Sequence, residues 1–290
     1  MSTSGLARLT NRLPDWLAFH VMWLLLLARQ RWLFDATRRR RSRAGALSRE
    51  ERAWQASLRR FGYVVIPGYM PVDWCESARI ELQAALADPH KTSRHEEDLR
   101  VFGIERLSLR AAQFGSDARL LRAATEYARS DETLAFCMAN CVRHRDGVVL
   151  GSGGEWHRDG YRRQMKAMLY LTDVEAADGP FSVVERSHRA GRILGDSLVL
   201  GAAIRRRLID GLMGTRLKDA GTRLGQRAPG RTKLLTGLAG TLILFDTSTI
   251  HTGTPPLPGG KERLALTNYY VDASSLPETL AYYRTAVTLN

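Results

Sequence analysis

The sequence predicts a mainly β domain with flanking helices, an α+β fold in which a β-sandwich or barrel carries helices on one face. Helical patterns dominate the chain before residue 142, and short apolar runs separated by turn residues dominate it afterwards. Strands that follow helical elements in this way are typical of such a fold. The chain has 290 residues, of which 44% are hydrophobic, and can therefore bury one full-sized core.

The individual elements follow from periodicity and from breaker residues. The segment YVVI, for example, is stopped by Pro67 and Gly68 and predicts a short strand, whereas the next segment has apolar residues at helical spacing and ends before Pro89. The predicted elements are a strand at 63–66, a helix at 71–89, a loop at 90–110, a helix at 116–141, and strands at 148–150, 166–174, 180–184, 241–247 and 263–271.

One connection within this series is unusually long. Residues 189–235 alternate helical pattern with glycine breaks, and they exceed the usual length of a connection between strands. We expect a helical insertion that either covers a site or is a decorative excursion. The chain as a whole is predicted to consist of an N-terminal arm, residues 1–59, and a β domain, residues 60–290.

Charge separates the arm from the rest of the chain. Residues 1–60 contain 13 arginines, no lysine and four carboxylates, so they carry +9 of the total net charge of +13. A nucleic-acid-binding domain would carry such charge on its folded body, so we expect no nucleic-acid partner. Three cysteines provide no disulfide framework, and a reducing, cytoplasmic environment is expected.

The arm combines an apolar run at 16–28 (WLAFHVMWLLLLA) with a basic cluster at 38–43 (RRRRSR). A spanning helix needs about 20 apolar residues, and no signal-peptide cleavage site follows the run. The pattern favours a helix in the interface of an anionic membrane, peripheral at the inner face of the cytoplasmic membrane. Packing on the protein's own core or on a partner subunit is the alternative, and a nucleic-acid tail is a third.

Two His-x-Asp pairs occur in the chain, and their surroundings differ. His144 and Asp146 precede Gly147, and the Asp-Gly step predicts a hairpin turn in which Asp146 is a turn residue. His157 and Asp159 leave the same face of an extended segment and can converge on one ion. The second pair is therefore the candidate metal site.

Further candidate residues lie downstream. His251 follows the predicted strand 241–247 in a loop rich in Thr, Gly and Pro, and Arg263 begins the next strand. Two histidines and one carboxylate on a β scaffold form the facial triad typical of non-haem iron sites. A guanidinium one strand away can bind a carboxylate in bidentate fashion.

The ordered series of these motifs resembles the phytanoyl-CoA dioxygenase family of Fe(II)/2-oxoglutarate-dependent oxygenases. The likeness rests on FGYVVIPGYMPVDWCESARIEL, HRD, AMLYLTDV, GPFSVVERSH, GTLILFDTSTIH and Arg263, and it covers roughly residues 60–275. It implies a double-stranded β-helix, or cupin-like jelly roll.

The resemblance also implies a site and a reaction. His157, Asp159 and His251 would bind Fe(II), Arg263 would hold the distal carboxylate of 2-oxoglutarate, and O₂ would be the other co-substrate. Lys166 lies near the triad in sequence and is a candidate contact for 2-oxoglutarate or substrate. Halogenating relatives replace the carboxylate by a small residue, so Asp159 favours a dioxygenase that hydroxylates.

This chain departs from the family pattern at one position. Many relatives have a Ser or Thr two residues after the arginine, where this chain has Ala265, so Thr267 or a tyrosine would replace the missing hydroxyl. His188, in ERSHRAG, is a rival third ligand, but a Ser-His at this strand end is usual in the family and is not its ligand. His251 is therefore preferred.

The substrate is not encoded in these motifs. The basic arm favours a small or lipid-linked substrate at a membrane surface, such as an acidic sugar of lipopolysaccharide or a fatty acyl derivative. A non-catalytic, cupin-like binding protein, tethered through its N-terminal arm, is the alternative function. The sequence makes no prediction of oligomeric state.

Overall fold

In the computed structural model, the described residues form two antiparallel β-sheets and five α-helices. The structure describes residues 45–95, 98–147, 156–160, 163–193 and 229–283, together with Leu17, Leu24 and Ala28. The helices are α1 (Arg49–Phe61), α2 (Val72–Ala87), α3 (Leu109–Gly115), α4 (Ala118–Ala128) and α5 (Leu276–Tyr282), with 3₁₀ turns at Ile104–Arg106, Pro229–Arg231 and Ala273–Ser275.

The larger sheet has seven strands in the order β1-β8-β5-β10-β4-β3-β2, and the smaller sheet has three in the order β7-β6-β9. Every pair of neighbours in either sheet is antiparallel. The strands are β1 (Tyr63–Ile66), β2 (Ser93–His95), β3 (Asp98–Phe102), β4 (Glu132–Val142), β5 (Met165–Tyr170), β6 (Phe181–Val184), β7 (Thr232–Leu235), β8 (Leu242–Asp246), β9 (His251–Gly253) and β10 (Arg263–Asp272).

The two faces of the larger sheet pack against different layers. One face carries apolar side chains such as Leu169 and Leu266, which pack with residues of α1 to α4, including Leu58 and Leu120. The opposite face packs against the smaller sheet, where Phe181 lies with Phe245. The described strands do not join into a closed barrel, and the architecture is a sandwich with helices on its outer side.

Helix α1 begins and ends with clear capping signals. Ser48 and Glu51 form a reciprocal capping box at its start. Gly62 ends it in the left-handed region, with φ of 91°. A Cβ at Gly62 would lie 2.4 Å from the Thr249 hydroxyl, so a glycine is required where the chain passes beside the β8–β9 loop. The predicted boundary between residues 59 and 60 falls inside α1, and the division into arm and body stays a prediction.

The structure confirms the predicted elements at 63–66 and 71–89 and the strands that begin near residues 166, 181, 242 and 263, but it corrects two others. Residues 116–141 were expected to be one helix, whereas α4 ends at Ala128 and β4 follows. Arg129 adopts φ of 54° and closes the helix, and β4 is apolar on both faces because both are covered. Residues 90–110, expected to be a loop, contain β2 and β3 at the edge of the sheet.

Several predictions fall on other parts of the chain. The strand at 148–150, most of the arm and residues 194–228 of the expected insertion lie outside the described residues. The end of that expected insertion contains β7, which pairs with β6. Within the ranges that the structure does describe, no helix combines the length and hydrophobicity needed to cross a membrane.

Candidate metal centre

Backbone pairing brings the first two candidate ligands to the third. His157 forms an isolated antiparallel bridge with His251, the first residue of β9, through N–H···O bonds of 3.0 and 2.9 Å. The Asp159 amide donates to the Thr247 carbonyl at 2.9 Å. The His-x-Asp segment therefore extends the edge of the smaller sheet, beside β9, and the side chains of His157 and Asp159 point to His251. His251 was expected in a loop, but it lies on the short strand β9.

The three side chains converge as the sequence predicts. One ligand atom of each of His157, Asp159 and His251 lies within 4.8 Å of the others. The Asp159 carboxylate is 3.5 Å from His157 Nε2 through one oxygen and 3.7 Å from His251 Nε2 through the other. Two imidazole nitrogens and one carboxylate oxygen are the donors of a facial triad, and this set suits a divalent iron ion.

His251 is held in the form that binds metals. Its Nδ1 lies 2.8 Å from the Thr249 carbonyl, which can only accept, so Nδ1 carries the proton and Nε2 keeps its lone pair toward Asp159. Burial, followed by the electrostatic effect of the neighbouring His157, lowers the pKa of His251 to about 3. A neutral imidazole is therefore present at neutral pH.

Asp159 is held as a carboxylate by its neighbours. Burial alone raises the pKa of this carboxyl, but the Lys166 ammonium and the two histidines outweigh burial and hold the pKa well below its usual range. Lys166 Nζ lies 2.7 Å from Asp159 and 3.8 Å from the centre of the Tyr269 ring. Lys166 therefore lies at the site, where its charge is directed at the Asp159 carboxylate.

Arg158 fixes the same segment from behind. Arg158 stands between His157 and Asp159 in the sequence, and its side chain is buried. Its Nε donates to the Ser248 carbonyl at 2.8 Å, and its Nη2 donates to the Ser187 carbonyl at 3.0 Å. One side chain thereby ties the His-x-Asp segment to the loop before His251 and to the turn that follows β6. No sequence pattern predicts this role, because both acceptors are backbone atoms distant in the chain.

A cavity of about 510 Å³ opens beside the three ligands, between the two sheets, and Arg263 lies in its wall. The Arg263 guanidinium is buried and donates to the Gly179 carbonyl and, at 3.3 Å, to Asn140 Oδ1. Its Nε and the Thr267 hydroxyl are buried without hydrogen-bond partners in the part of the chain that the structure describes. These polar atoms fit a dicarboxylate held beside the metal, since unpaired buried groups are costly unless a ligand binds them.

The rival residues lie elsewhere. His144 contacts the Pro256 carbonyl and Asp146, at 2.9 and 3.0 Å. His188 lies against α1, where its Nε2 is 3.2 Å from the Arg59 carbonyl. Ala265 is fully buried on β10. Within the described ranges, neither of these histidines joins the group at the cavity.

A sequence comparison places the fold and the three ligands in a family. The model of the phytanoyl-CoA dioxygenase (PhyH) family matches residues 58–257, which is more than half of the chain and includes all three ligands. The chain belongs to the phytanoyl-CoA dioxygenase family. The resemblance seen in the motifs is thereby confirmed, although Arg263 lies just beyond the matched range. No curated protein matches this family member significantly.

Solved structures share the fold of this phytanoyl-CoA dioxygenase family member. The epimerase SnoN, in complex with Fe³⁺, alpha ketoglutarate and nogalamycin RO, has 18% identity and a TM-score of 0.57, over 77% of this chain and 84% of that one. HygX from Streptomyces hygroscopicus, with nickel, 2-oxoglutarate and hygromycin B bound, has 20% identity and a TM-score of 0.53, over 78% and 88%. The carbocyclase SnoK from nogalamycin biosynthesis has 18% identity and a TM-score of 0.57, over 79% and 86%. These likenesses confirm the jelly-roll fold with flanking helices.

Proposed function

We propose that the protein is an Fe(II)/2-oxoglutarate-dependent dioxygenase that hydroxylates a C–H bond of a small or lipid-linked substrate. The observation that carries the proposal is the convergence of His157, Asp159 and His251 at the edge of a cavity whose wall contains the Arg263 guanidinium. Family membership and structural neighbours that hold iron or nickel with 2-oxoglutarate support it.

The residues of the chain have separable roles in this proposal. His157, Asp159 and His251 hold Fe(II), and Arg263 with Thr267 binds the distal carboxylate of 2-oxoglutarate. Fe(II) and 2-oxoglutarate together supply the activation of O₂ that oxidises a C–H bond. Lys166 keeps Asp159 ionised and oriented, as an outer-shell partner does for a metal ligand.

Aromatic side chains protect the metal side of the cavity from water. Phe181 and Phe245 lie against the His251 ring, with centroid distances of 5.4 and 5.3 Å, and all three line the cavity. An apolar surround strengthens the electrostatic interactions of the site and limits unproductive contact with solvent. The reaction therefore depends on how the chain positions one C–H bond beside the metal.

The part of the cavity away from the triad indicates the kind of substrate. Its lining includes Phe102, Tyr282 and Tyr283, with Arg100 and Glu278 as charged residues. The volume of about 510 Å³ lies within the range of small-molecule sites and leaves room for a ring or an acyl chain beside 2-oxoglutarate. This lining supports a substrate with an apolar or ring-shaped face, such as an acidic sugar of lipopolysaccharide or a fatty acyl derivative.

The location of the reaction belongs to the same proposal. The apolar run at 16–28 and the arginines at 38–41 support a peripheral attachment to anionic lipid at the inner face of the cytoplasmic membrane. Sedimentation with vesicles of an anionic and of a zwitterionic lipid tests this part. We expect anionic vesicles to retain the protein, and to retain it several-fold less when Arg38 to Arg41 are replaced by Gln. Equal partitioning of both proteins contradicts the attachment.

The reaction itself is tested by turnover with Fe(II), 2-oxoglutarate and ¹⁸O₂. The candidate substrates are 3-deoxy-octulosonic acid, a lipopolysaccharide extract and a fatty acyl-CoA. We expect succinate to form together with a product that carries one ¹⁸O atom. Succinate with an unlabelled, rearranged product contradicts hydroxylation and indicates epimerase or carbocyclase chemistry. Binding of 2-oxoglutarate without any succinate supports the non-catalytic binding protein instead.

A further inference from the structure

The inner face of β10 lacks a hydroxyl beside Arg263, and a neighbouring strand supplies a different polar group there. Arg263 and Ala265 are two residues apart on β10, so their side chains share one face of the strand. In the sheet register, Ala265 lies between Asn140 of β4 and Tyr170 of β5. Asn140 therefore lies directly beside Ala265, the position that lacks the hydroxyl.

Asn140 contacts the Arg263 guanidinium and a buried carboxylate at the same time. Its Oδ1 accepts from Arg263 Nη2 at 3.3 Å, and its Nδ2 donates to Asp98 Oδ1. The other Asp98 oxygen accepts from Arg100 Nε at 2.6 Å. Asn140, Asp98 and Arg263 are all at most 2% exposed, so the network is shielded from solvent.

The polarity of this network fixes the direction of the amide. Asp98 can only accept from Nδ2, which leaves Oδ1 toward the donors of Arg263. A neutral amide orients the guanidinium with one hydrogen bond and adds no negative charge of its own beside it. A carboxylate at position 140 would pair with Arg263 and weaken its attraction for an external anion.

Other polar groups near Ala265 are less suited to this role. The Tyr170 hydroxyl already donates to the Leu235 carbonyl at 2.8 Å and accepts from the Phe181 amide at 2.9 Å. Thr267 lies one position further along the same face, and its hydroxyl has no partner among the described residues. Thr267 is thus open to a ligand, whereas the hydrogen bond to Arg263 comes from Asn140.

We propose that Asn140, held by Asp98, is a positioning residue that orients Arg263 for the distal carboxylate of 2-oxoglutarate and takes the place of the hydroxyl absent at Ala265. This inference rests on the proposed function, because it assumes that Arg263 binds that carboxylate. It adds a residue that the motifs did not reveal, and it explains why an alanine is tolerated beside the anchoring arginine.

The test is an anaerobic titration of the Fe(II)-loaded protein with 2-oxoglutarate, followed by the visible charge-transfer band. For Asn140→Ala we expect the Kd of 2-oxoglutarate to rise about tenfold, which corresponds to one hydrogen bond to a charged group, with Fe(II) affinity unchanged. For Asn140→Asp we expect a larger rise, about a hundredfold, because the new carboxylate pairs with the guanidinium. Adding Ala265→Ser to Asn140→Ala should recover most of the lost affinity, since a hydroxyl then stands beside Arg263.

Asn268 provides a matched control. It is a fully buried asparagine on β10 that points toward the helices and donates to the Phe114 carbonyl at 2.9 Å. Asn268→Ala should lower thermal stability without changing the Kd of 2-oxoglutarate. If Asn140→Ala does not fold, Asn140→Ser, which keeps a polar group, gives the same comparison.

The outcomes separate this inference from the proposed function. Absence of the band in the wild type overturns the proposed function, and this inference with it. A wild-type band together with an unchanged Kd in Asn140→Ala and Asn140→Asp overturns the positioning role alone. A Kd raised equally in Asn140→Ala and Asn268→Ala also overturns it, because the effect is then one of general destabilisation.

Discussion

The two faces of β10 serve different purposes, although they alternate residue by residue along one strand. Leu264 and Leu266 face the helices and are buried among apolar side chains. Arg263 and Thr267 line the cavity on the opposite face, and there Arg263 Nε and the Thr267 hydroxyl have no partner among the described residues. The strand therefore contributes packing energy through one face and recognition through the other.

This difference has a simple physical basis. Apolar burial stabilises the fold in proportion to area and tolerates changes of detail, whereas a buried guanidinium or hydroxyl is favourable only when a defined partner meets it. Substitutions on the helix-facing side should therefore lower the free energy of unfolding. Substitutions on the cavity side should instead change metal or co-substrate affinity.

Removal of a metal ligand should have the largest effect. Loss of an outer-shell partner lowers metal affinity by about 10- to 100-fold. For His157→Ala and Asp159→Ala we expect a larger fall in Fe(II) affinity, and no formation of succinate. Metal binding is measured by anaerobic equilibrium dialysis. His144→Ala and Asp146→Ala are the matched controls, because they alter the other His-x-Asp pair. Loss of iron binding in those controls would contradict the choice of pair.

Leu266→Ala tests the opposite face of β10. The side chain is fully buried in the main core, and its loss should lower the free energy of unfolding by about 2–5 kcal/mol. Urea denaturation measures this change. At temperatures where the variant is folded, the Kd of 2-oxoglutarate should stay close to the wild-type value. A large rise in that Kd would show that the two faces are not separable.

Arg263→Lys keeps the positive charge but removes the planar fork. We expect the Kd of 2-oxoglutarate to rise by about 10- to 100-fold, because a lysine cannot provide the bidentate hydrogen bonds of a guanidinium.

Thr267→Val, which removes the hydroxyl and keeps the shape, should raise the same Kd by a smaller factor than Arg263→Lys, about threefold to tenfold. Calorimetric titration with 2-oxoglutarate compares the two variants. A Kd unaffected by Arg263→Lys would mean that the co-substrate lies elsewhere.

Lys166→Met should have the smallest effect of this series on the metal. The substitution removes the ammonium 2.7 Å from Asp159 but leaves all three ligands in place. We expect Fe(II) affinity to fall by at most about tenfold, as for the loss of an outer-shell partner. A complete loss of binding would indicate that Lys166 is essential for forming the site. Competition with a chromogenic chelator at neutral pH provides the measurement.

The sequence predicted the fold class and the convergence of three side chains, but not every strand around them. His157, Asp159 and His251 could be found because their order and spacing along the chain are specific, and the structure brings them together. The apolar pattern over residues 116–141 predicts one helix, but its second half forms β4, because a strand covered on both faces has a mostly apolar sequence without alternation. The short strand that carries His251 has only three residues and gives no periodic signal.

Asn140 was missed for a different reason. Its partner Arg263 is 123 positions away along the chain, and the contact arises only from the register of β4 with β10. No local pattern marks an asparagine inside an otherwise apolar segment as part of a site. Ala265 was the indirect signal, because a missing hydroxyl beside a buried arginine requires another polar group nearby.

We propose that one site, formed by His157, Asp159 and His251 with Arg263 beside it, binds Fe(II) and 2-oxoglutarate together. Its most direct test is the anaerobic absorption spectrum of the full chain with both added. We expect a visible charge-transfer band in the wild type that requires both Fe(II) and 2-oxoglutarate and is absent in Asp159→Ala. A wild-type protein that is loaded with iron, binds 2-oxoglutarate and shows no such band would contradict it.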